Sequence, residues 1–218
     1  SSIYFPGQQV PMLPEKLAGD LCSLVEGKER LVKVINIQVM SDGALGEYSI
    51  SEAVICSRQK MSYTEASACL LGDDEVQVDE AVKPVLSCLQ SLTEALLQWR
   101  EKHLLTHAHR PEFYLELDEN QKISSITEKV MTLAHKIVEE SMVAANRCIA
   151  ELLAKSEQES LFITHKGLRN DRLEAVQAII NEQVSDCEKA DLSSLDGFVQ
   201  AMNAVSSSDE LKPLHSVM

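Results

Sequence analysis

The chain has 218 residues, of which 44% are apolar, 25% charged and only 4% aromatic. This composition is typical of an ordinary soluble globular protein, and the low aromatic content predicts a core of aliphatic side chains. The formal net charge of −14 at pH 7 gives no overall attraction to phosphate backbones or anionic membranes. Any contact with nucleic acid therefore needs a local basic or stacking surface.

The cysteines are scattered along the chain and form no Cys-x-x-Cys pair. This spacing favours buried free thiols in a reducing cytoplasm over a disulfide framework. The sequence has no apolar run long enough to cross a bilayer and no basic-then-apolar start. We therefore expect a cytoplasmic protein with neither a membrane span nor a signal peptide. The cysteines are Cys22, Cys56, Cys69, Cys88, Cys148 and Cys187.

The N-terminal part of the sequence predicts an arm followed by two antiparallel strands. Prolines punctuate residues 1–24, which favours an extended arm with a short helix. Apolar residues on both faces of 31–40 predict a strand that is covered on both sides. The turn signal Asp42-Gly43 then returns the chain as a second strand over 47–57.

Two helices are predicted next, and both have recognisable start signals. Ser62 stands three residues before Glu65, the spacing of a capping box, and Gly72 lies where the C-cap of a short helix would fall. Apolar residues then recur at spacings of three and four. They predict a long amphipathic helix of about 24 residues that begins near Asp79.

The remaining sequence predicts strands and helices in an irregular order. Because strands and helices do not alternate regularly, we expect an α+β fold: a mixed, largely antiparallel sheet packed against long helices. Asp171 and Glu174 form a second capping-box pattern. The predicted elements are two short strands within 113–126, a helix over 127–155, a strand over 161–165, and helices over 171–184 and 192–205.

Three histidines near the end of the long helix suggest a metal site. His103 and His107 are spaced i, i+4, and His109 follows, so one further ligand could complete a zinc site. The alternative is that these imidazoles face solvent and complement the helix dipole. We favour the alternative, because no cysteine or carboxylate lies at a matching spacing nearby.

Two acidic groups are the other candidates for chemistry. Glu139 and Glu140 lie in the middle of a predicted helix, where one of them could be a buried acceptor or a general base. Such a pair is more often a solvated face. The acidic run Asp73-Asp74-Glu75 also reads as a solvated loop.

Tyr4 and Tyr63 could be stacking platforms for bases, although a lone tyrosine is more often half-buried packing. Up to this point the residues indicate an acidic α+β domain and do not decide its function.

Several stretches in the same order resemble the RNase II and RNase R exoribonucleases. The first, IYFPGQQVPMLPEKLAGDLCSL, resembles a signature of that family. It is followed by AVICSRQKMSYTEA, RPEFYLEL, AHKIVEESMVAAN, FITHKG and LDGF. The resemblance implies that residues 1–218 are a partial RNB catalytic domain.

The resemblance also implies an activity. These enzymes remove nucleotides from the 3′ end of single-stranded RNA by magnesium-assisted hydrolysis and release nucleoside 5′-monophosphates. The family's metal-binding aspartates lie upstream of this sequence, and its arginine loop lies downstream. The resemblance therefore assigns no catalytic residue and no metal ligand to this chain. We expect Mg²⁺ only in the full-length enzyme and little or no nuclease activity from the chain alone.

The resemblance assigns RNA contacts to three residues. It places Tyr4 against the 3′-terminal bases, Tyr63 further along the RNA, and Glu139 beside the terminal nucleotide. There a carboxylate can accept hydrogen bonds from ribose hydroxyls and favour RNA over DNA. Candidate phosphate-binding residues are Arg58, Lys60 and Arg100.

Two alternatives remain open. The chain could be a non-catalytic RNA-binding or interaction remnant of this fold, or a structural or metal-binding domain built around the histidines. We also expect exposed apolar edges, which could cause non-native self-association.

Overall fold

The computed structural model describes residues 2–73, 76–103, 113–163, 168–183 and 190–206. Its strands are β1 (Ile3–Phe5), β2 (Gln8–Val10), β3 (Glu29–Val39), β4 (Leu45–Cys56), β5 (Phe113–Leu117) and β6 (Ile123–Glu128). Its α-helices are α1 (Tyr63–Leu70), α2 (Lys83–His103), α3 (Leu133–Lys155), α4 (Asn170–Gln183) and α5 (Leu195–Ser206). One π-helical segment spans Lys16–Leu21. The predicted α+β class is confirmed, and the strands pair consecutively into three antiparallel hairpins.

The turn between β3 and β4 forms as predicted and lies against α2. The Asp42 carboxylate accepts a hydrogen bond from the Ala44 N–H at 3.0 Å, and Gly43 has a φ of 84°. A Cβ on Gly43 would lie 2.0 Å from the backbone oxygen of Ala95. Only glycine fits this contact, because it tolerates a positive φ and leaves room for the helix backbone.

The prediction that β3 is covered on both faces is wrong. Leu31 is 87% exposed, and its cross-strand partner Val54 is also exposed. The half-buried positions Ile35, Ile37 and Val39 lie in the second half, which ends beside α2. Val32 and Val34 in the first half are half-buried on the opposite face, so each half of the strand is covered on one face only.

The N-terminal segment is a hairpin rather than an extended arm. β1 and β2 pair antiparallel with Ile3 opposite Val10, and the connection passes through Gly7 at a φ of 74°. The short helix that was expected after Pro14 is present as the π-helical segment.

Both start signals before α1 and α2 are informative, although α2 begins later than predicted. The Ser62 hydroxyl accepts from the Glu65 N–H at 3.2 Å, and the Glu65 carboxylate accepts from the Ser62 N–H at 2.7 Å. The two reciprocal hydrogen bonds confirm the capping box. Hydrogen bonding from Ser62 to the carboxylate lowers the pKa of Glu65. Asp79 accepts from the Ala81 N–H in the turn before Lys83, where α2 begins.

The second half differs from the prediction at three places. α3 begins at Leu133 rather than at residue 127, because 123–128 pair with β5 instead. No strand covers 161–163, and the rest of the predicted strand lies outside the described residues. Asp171 lies within the first turn of α4 and is not its N-cap; its carboxylate accepts from Arg169 at 3.0 Å.

α4 and α5 share an apolar cluster. Its buried members are Val176, Ile180, Ala190, Leu192, Ala201 and Val205. The Gln177 amide of α4 holds the segment that leads into α5, donating to the Ala190 carbonyl at 2.8 Å and accepting from the Leu192 N–H at 3.1 Å. Asn203 donates to the Glu101 carbonyl at 3.3 Å, which links α5 to α2.

The cysteine prediction is correct in part. The five cysteines in the described ranges are free, but Cys22, Cys56 and Cys88 are exposed and only Cys148 is buried. Cys187 lies outside the described residues. A search of the described helices finds none with the length and apolar character that a membrane crossing requires.

Candidate RNA-binding site

Tyr63 is presented at the start of α1, directly after the capping box. Because Ser62 ends the extended backbone and caps the helix, Tyr63 becomes its first residue. The Tyr63 ring stacks on His135 of α3, with ring centroids 3.9 Å apart and planes inclined by 14°. The Tyr63 residue remains 45% exposed. A stacked aromatic pair with an accessible ring is a platform on which a base can lie.

His135 is held in place at the N-terminus of α3. Its Nδ1 accepts from the Thr132 N–H at 3.3 Å and lies 2.8 Å from the Thr132 hydroxyl. An acceptor at Nδ1 must carry a lone pair, so the ring proton of the neutral imidazole lies on Nε2. Thr132 therefore orients the imidazole, which stacks against one face of the Tyr63 ring.

Glu139 lies one helical turn after His135, so both side chains project from the same face of α3. The Glu139 side chain is 40% exposed, whereas the Glu140 side chain is 2% exposed. The prediction that this pair is a solvated face is therefore wrong for Glu140. The predicted RNA-binding residue Glu139 has a carboxylate that solvent can reach.

Arg100 of α2 faces both carboxylates. Its Nη2 lies 2.6 Å from Oε1 of Glu140 and 3.4 Å from Oε1 of Glu139, and its side chain is 15% exposed. Arg100 was a candidate phosphate ligand. In the structure, the guanidinium of Arg100 is instead paired with the two carboxylates. When both carboxylates are ionised, the three groups together carry a charge of about −1.

Burial dominates the electrostatics of Glu140. Loss of solvation raises the pKa of this carboxyl, and the neighbouring carboxylates of Glu139 and Glu101 raise it further. The guanidinium of Arg100 and the ammonium of Lys136 oppose the shift. Desolvation prevails because a buried carboxylate loses more hydration than one cation restores.

Tyr4 occupies a different part of the molecule. It lies in β1 opposite Gln9 and is 73% exposed. Within the described ranges, no hydrogen bond, ion pair or ring contact joins it to Tyr63 or Glu139. The structure thus brings together Tyr63 and Glu139, through His135, and leaves Tyr4 on its own hairpin.

The other basic candidates lie just before α1. Arg58 and Lys60 are exposed, and the Lys60 backbone N–H donates to the Glu26 carboxylate at 2.7 Å. They precede Tyr63 by five and three residues, so their side chains project from the segment that leads to the stacked pair.

The histidine hypothesis can be examined only at His103. Its ring stacks on Trp99 at 4.6 Å, and its Nδ1 lies 2.8 Å from the Trp99 carbonyl. Arg147 covers Trp99 at 4.3 Å from the ring centroid, a cation–π contact between α2 and α3. His107 and His109 lie outside the described residues, as do Asp74 and Glu75 of the acidic run.

Sequence reasoning missed His135 and the pairing of Arg100 with Glu140. The spacing Thr132-x-x-His135 is that of a capping box with histidine in the place of glutamate. That spacing, and the four residues that separate His135 from Glu139, are signals that could have identified the histidine.

Comparison with known proteins decides the family. The RNB domain model matches residues 1–218. The chain belongs to the RNB domain family. Among curated RNB relatives, Exoribonuclease 2 of Haemophilus ducreyi is 34% identical over 196 residues and that of Aeromonas hydrophila is 32% identical over 198 residues. These matches cover 88% and 90% of this chain, but only 30% and 29% of the relatives.

Solved structures confirm the RNB fold. RNase R of Mycoplasma genitalium in complex with double-stranded RNA superposes with a TM-score of 0.87 at 24% identity. The match covers 100% of this chain and 39% of that one. The apo form of the same enzyme gives a TM-score of 0.84 over 100% of this chain and 34% of the other. The chain thus spans about a third of the proteins that it matches.

Proposed function

We propose that this chain is the RNA-holding part of a 3′-to-5′ hydrolytic exoribonuclease that acts on single-stranded RNA and releases nucleoside 5′-monophosphates. Membership of the RNB family supports the proposal, together with relatives that are named Exoribonuclease 2. The observation that carries it is the Tyr63–His135 stack one helical turn from the exposed carboxylate of Glu139.

This geometry suits the recognition of a single strand. A base can stack on the exposed part of the Tyr63 ring. The Glu139 carboxylate can accept a hydrogen bond from a ribose 2′-hydroxyl, which DNA lacks. Stacking alone would hold RNA and DNA alike, so the preference for RNA depends on Glu139. Tyr4, on the β1–β2 hairpin, is proposed as a separate contact near the 3′ end.

The net charge of −14 is compatible with this function if the phosphates are contacted locally. Arg58 and Lys60 are exposed next to Tyr63 and supply two positive charges there. With few phosphate contacts, binding should depend weakly on salt. We propose that the protein is located in the cytoplasm, where its proposed substrate, single-stranded RNA, is present.

Hydrolysis of this kind uses Mg²⁺, which activates water and stabilises the leaving oxygen. The donor set of the described residues does not fit such a site: no group of three or more His, Cys, Asp or Glu side chains in those ranges is placed to hold a metal ion. We propose that this chain alone is inactive, as the family resemblance implies. The family resemblance assigns the metal-binding aspartates and the arginine loop to positions outside residues 1–218.

The first test is a time course with 5′-labelled single-stranded RNA and Mg²⁺, beside the same sequence as DNA. We expect no 3′-end shortening from this chain. A ladder on RNA alone would support exonuclease activity and overturn the proposed inactivity of the chain.

Binding is tested separately by fluorescence anisotropy without metal. We expect RNA to bind more tightly than DNA, and Y63A to weaken both by about tenfold, the value of one base stack. The matched control is Y114A, which removes another exposed tyrosine on β5 and should change binding little. Equal binding of RNA and DNA, or equal effects of the two variants, would contradict the proposed site.

Exposed apolar residues suggest one further property. Leu31 and Val54 pair across the outer face of β3 and β4, and such a face can drive non-native self-association. Analytical ultracentrifugation should show concentration-dependent dimers that the variant L31E abolishes.

A further inference from the structure

One guanidinium on α2 serves two carboxylates in opposite environments. Glu140 is buried, Glu139 is reached by solvent, and Nη2 of Arg100 contacts Oε1 of each. The shorter distance, 2.6 Å, is to the buried carboxylate, and the longer one, 3.4 Å, is to the exposed carboxylate. Arg100 is therefore anchored from the interior and reaches outward to Glu139.

This arrangement is a costly way to join two helices. Within the described residues, Nε of Arg100 is buried without a hydrogen-bond partner, and Oε1 of Glu140 makes close ionic contact but no well-aligned hydrogen bond. Buried ionic groups of this kind stabilise a fold less than apolar residues of the same volume. Helix α2 also contacts α3 apart from this ion pair, and Leu96 of α2 is buried, so joining the helices does not depend on the charges alone.

The contact also leaves part of Glu139 available. Arg100 engages Oε1 of Glu139, and a carboxylate has a second oxygen with its own lone pairs. With Oε1 held, Oε2 has a restricted orientation on the face that also carries His135. A carboxylate that is held before the ligand arrives loses less conformational entropy when it binds.

We propose that Arg100 is a positioning residue that orients the Glu139 carboxylate toward a ribose 2′-hydroxyl, and that Glu140 anchors Arg100 from the buried side. This inference rests on the proposed function, because it assigns the choice of RNA over DNA to an arginine that does not contact the RNA. It also explains why the more buried carboxylate, which solvent and RNA cannot reach, is ionic rather than apolar.

The test measures dissociation constants of the whole chain for a short fluorescein-labelled single-stranded RNA and for its DNA counterpart, without metal. The key variant is R100M/E140Q. It removes the guanidinium and its buried partner together, so no unpaired charge remains in the interior. The matched control is K102M, which removes one positive charge from an exposed position on the same helix.

We expect E139Q to reduce the RNA-to-DNA affinity ratio by about tenfold, the value of one hydrogen bond to a charged group. R100M/E140Q should reduce the ratio by about threefold or more while circular dichroism stays unchanged. K102M should leave it as in the wild type. R100K should reduce the RNA-to-DNA affinity ratio less than R100M/E140Q does, because lysine keeps the positive charge but lacks the planar guanidinium. An unchanged ratio in R100M/E140Q would overturn the inference.

A second measurement separates this inference from the proposed function. If the wild-type chain binds RNA and DNA equally, the proposed function fails. The carboxyl carbon resonance of Glu139, followed by NMR in ¹³C-labelled protein, then decides the positioning by itself. A change in its chemical shift in R100M/E140Q, and not in K102M, supports the contact with Arg100; no change in either variant overturns it.

Discussion

The α2–α3 interface and the α4–α5 cluster are built on different principles. The α4–α5 cluster buries only apolar side chains, and three of them, Ile180, Ala201 and Val205, are fully inaccessible. At the α2–α3 interface an ion pair joins Arg100 to Glu140, a buried charged residue. The apolar cluster stabilises the fold by burying apolar side chains, with no cost for the desolvation of charges. The charged interface has a cost that stability does not explain.

The largest effect should come from breaking the charged interface on one side only. R100M leaves Glu140 buried without its cation, and we expect a loss of about 3 kcal/mol in the free energy of unfolding, limited by protonation of the carboxyl. R100M/E140Q should recover most of that loss. Urea denaturation at pH 7 measures both. If R100M were as stable as the wild type, burying Glu140 without its cation would have no measurable cost in the free energy of unfolding.

A substitution in the apolar cluster should reduce stability without changing the ratio of RNA to DNA affinity. I180A removes a fully buried side chain, and we expect a loss of about 3 kcal/mol from lost burial and the resulting cavity. The ratio of RNA to DNA affinity should stay as in the wild type wherever the variant is folded. The comparison would be broken by an I180A variant that loses the preference for RNA while its circular dichroism is unchanged.

Measuring stability as a function of pH tests the burial of Glu140 at the charged interface. Because burial raises the pKa of Glu140 above its ordinary 4.5, the folded state binds this proton more tightly than the unfolded state. The group therefore favours folding at low pH, and its contribution is lost as the pH rises from 4.5 through the raised folded value. The stability of the wild type relative to E140Q should fall across that window. A difference that is constant with pH would contradict the burial of this carboxylate.

The smallest effect should come from the cap that presents Tyr63. S62A removes the hydroxyl that accepts from the Glu65 N–H, and we expect a loss of about 1 kcal/mol in stability. Affinity for RNA and DNA should fall together, because the stacking platform loosens while Glu139 is unchanged. S91A, on the exposed side of α2, is the control. A selective loss of RNA binding in S62A would argue against this division of roles.

Local patterns predicted the elements that depend on neighbours in sequence. The Asp42-Gly43 turn and the Ser62–Glu65 capping box require only residues within one turn of each other, and both were found. The β1–β2 hairpin was missed because three-residue strands rich in exposed side chains leave no clear alternation. α3 was predicted to begin early because residues 127 and 128 read equally well as a helix start and as a strand end.

The candidate site could be predicted only in part for a similar reason. Tyr63 and Glu139 were proposed from the family resemblance, but their connection through His135 depends on how α1 packs against α3. The contact of Arg100 with Glu139 joins residues 39 apart in the chain. The spacing of apolar residues along the sequence cannot predict a contact between residues so far apart. Likewise, the different burial of Glu139 and Glu140 becomes visible only when the helices are packed together.

The absence of a side chain at Gly43 has a consequence for the proposed role of Arg100. The tip of the β3–β4 hairpin meets the α2 backbone at Ala95, five residues before Arg100, which is about 7.5 Å along the helix axis. The hairpin tip therefore limits how closely α2 can approach the β3–β4 turn. A bulkier residue at this turn would clash with the α2 backbone, and we expect the resulting displacement of the helix to weaken the contacts of Arg100 with both carboxylates. The proposed selectivity for ribose would then depend on a turn that contains none of the residues proposed to contact RNA.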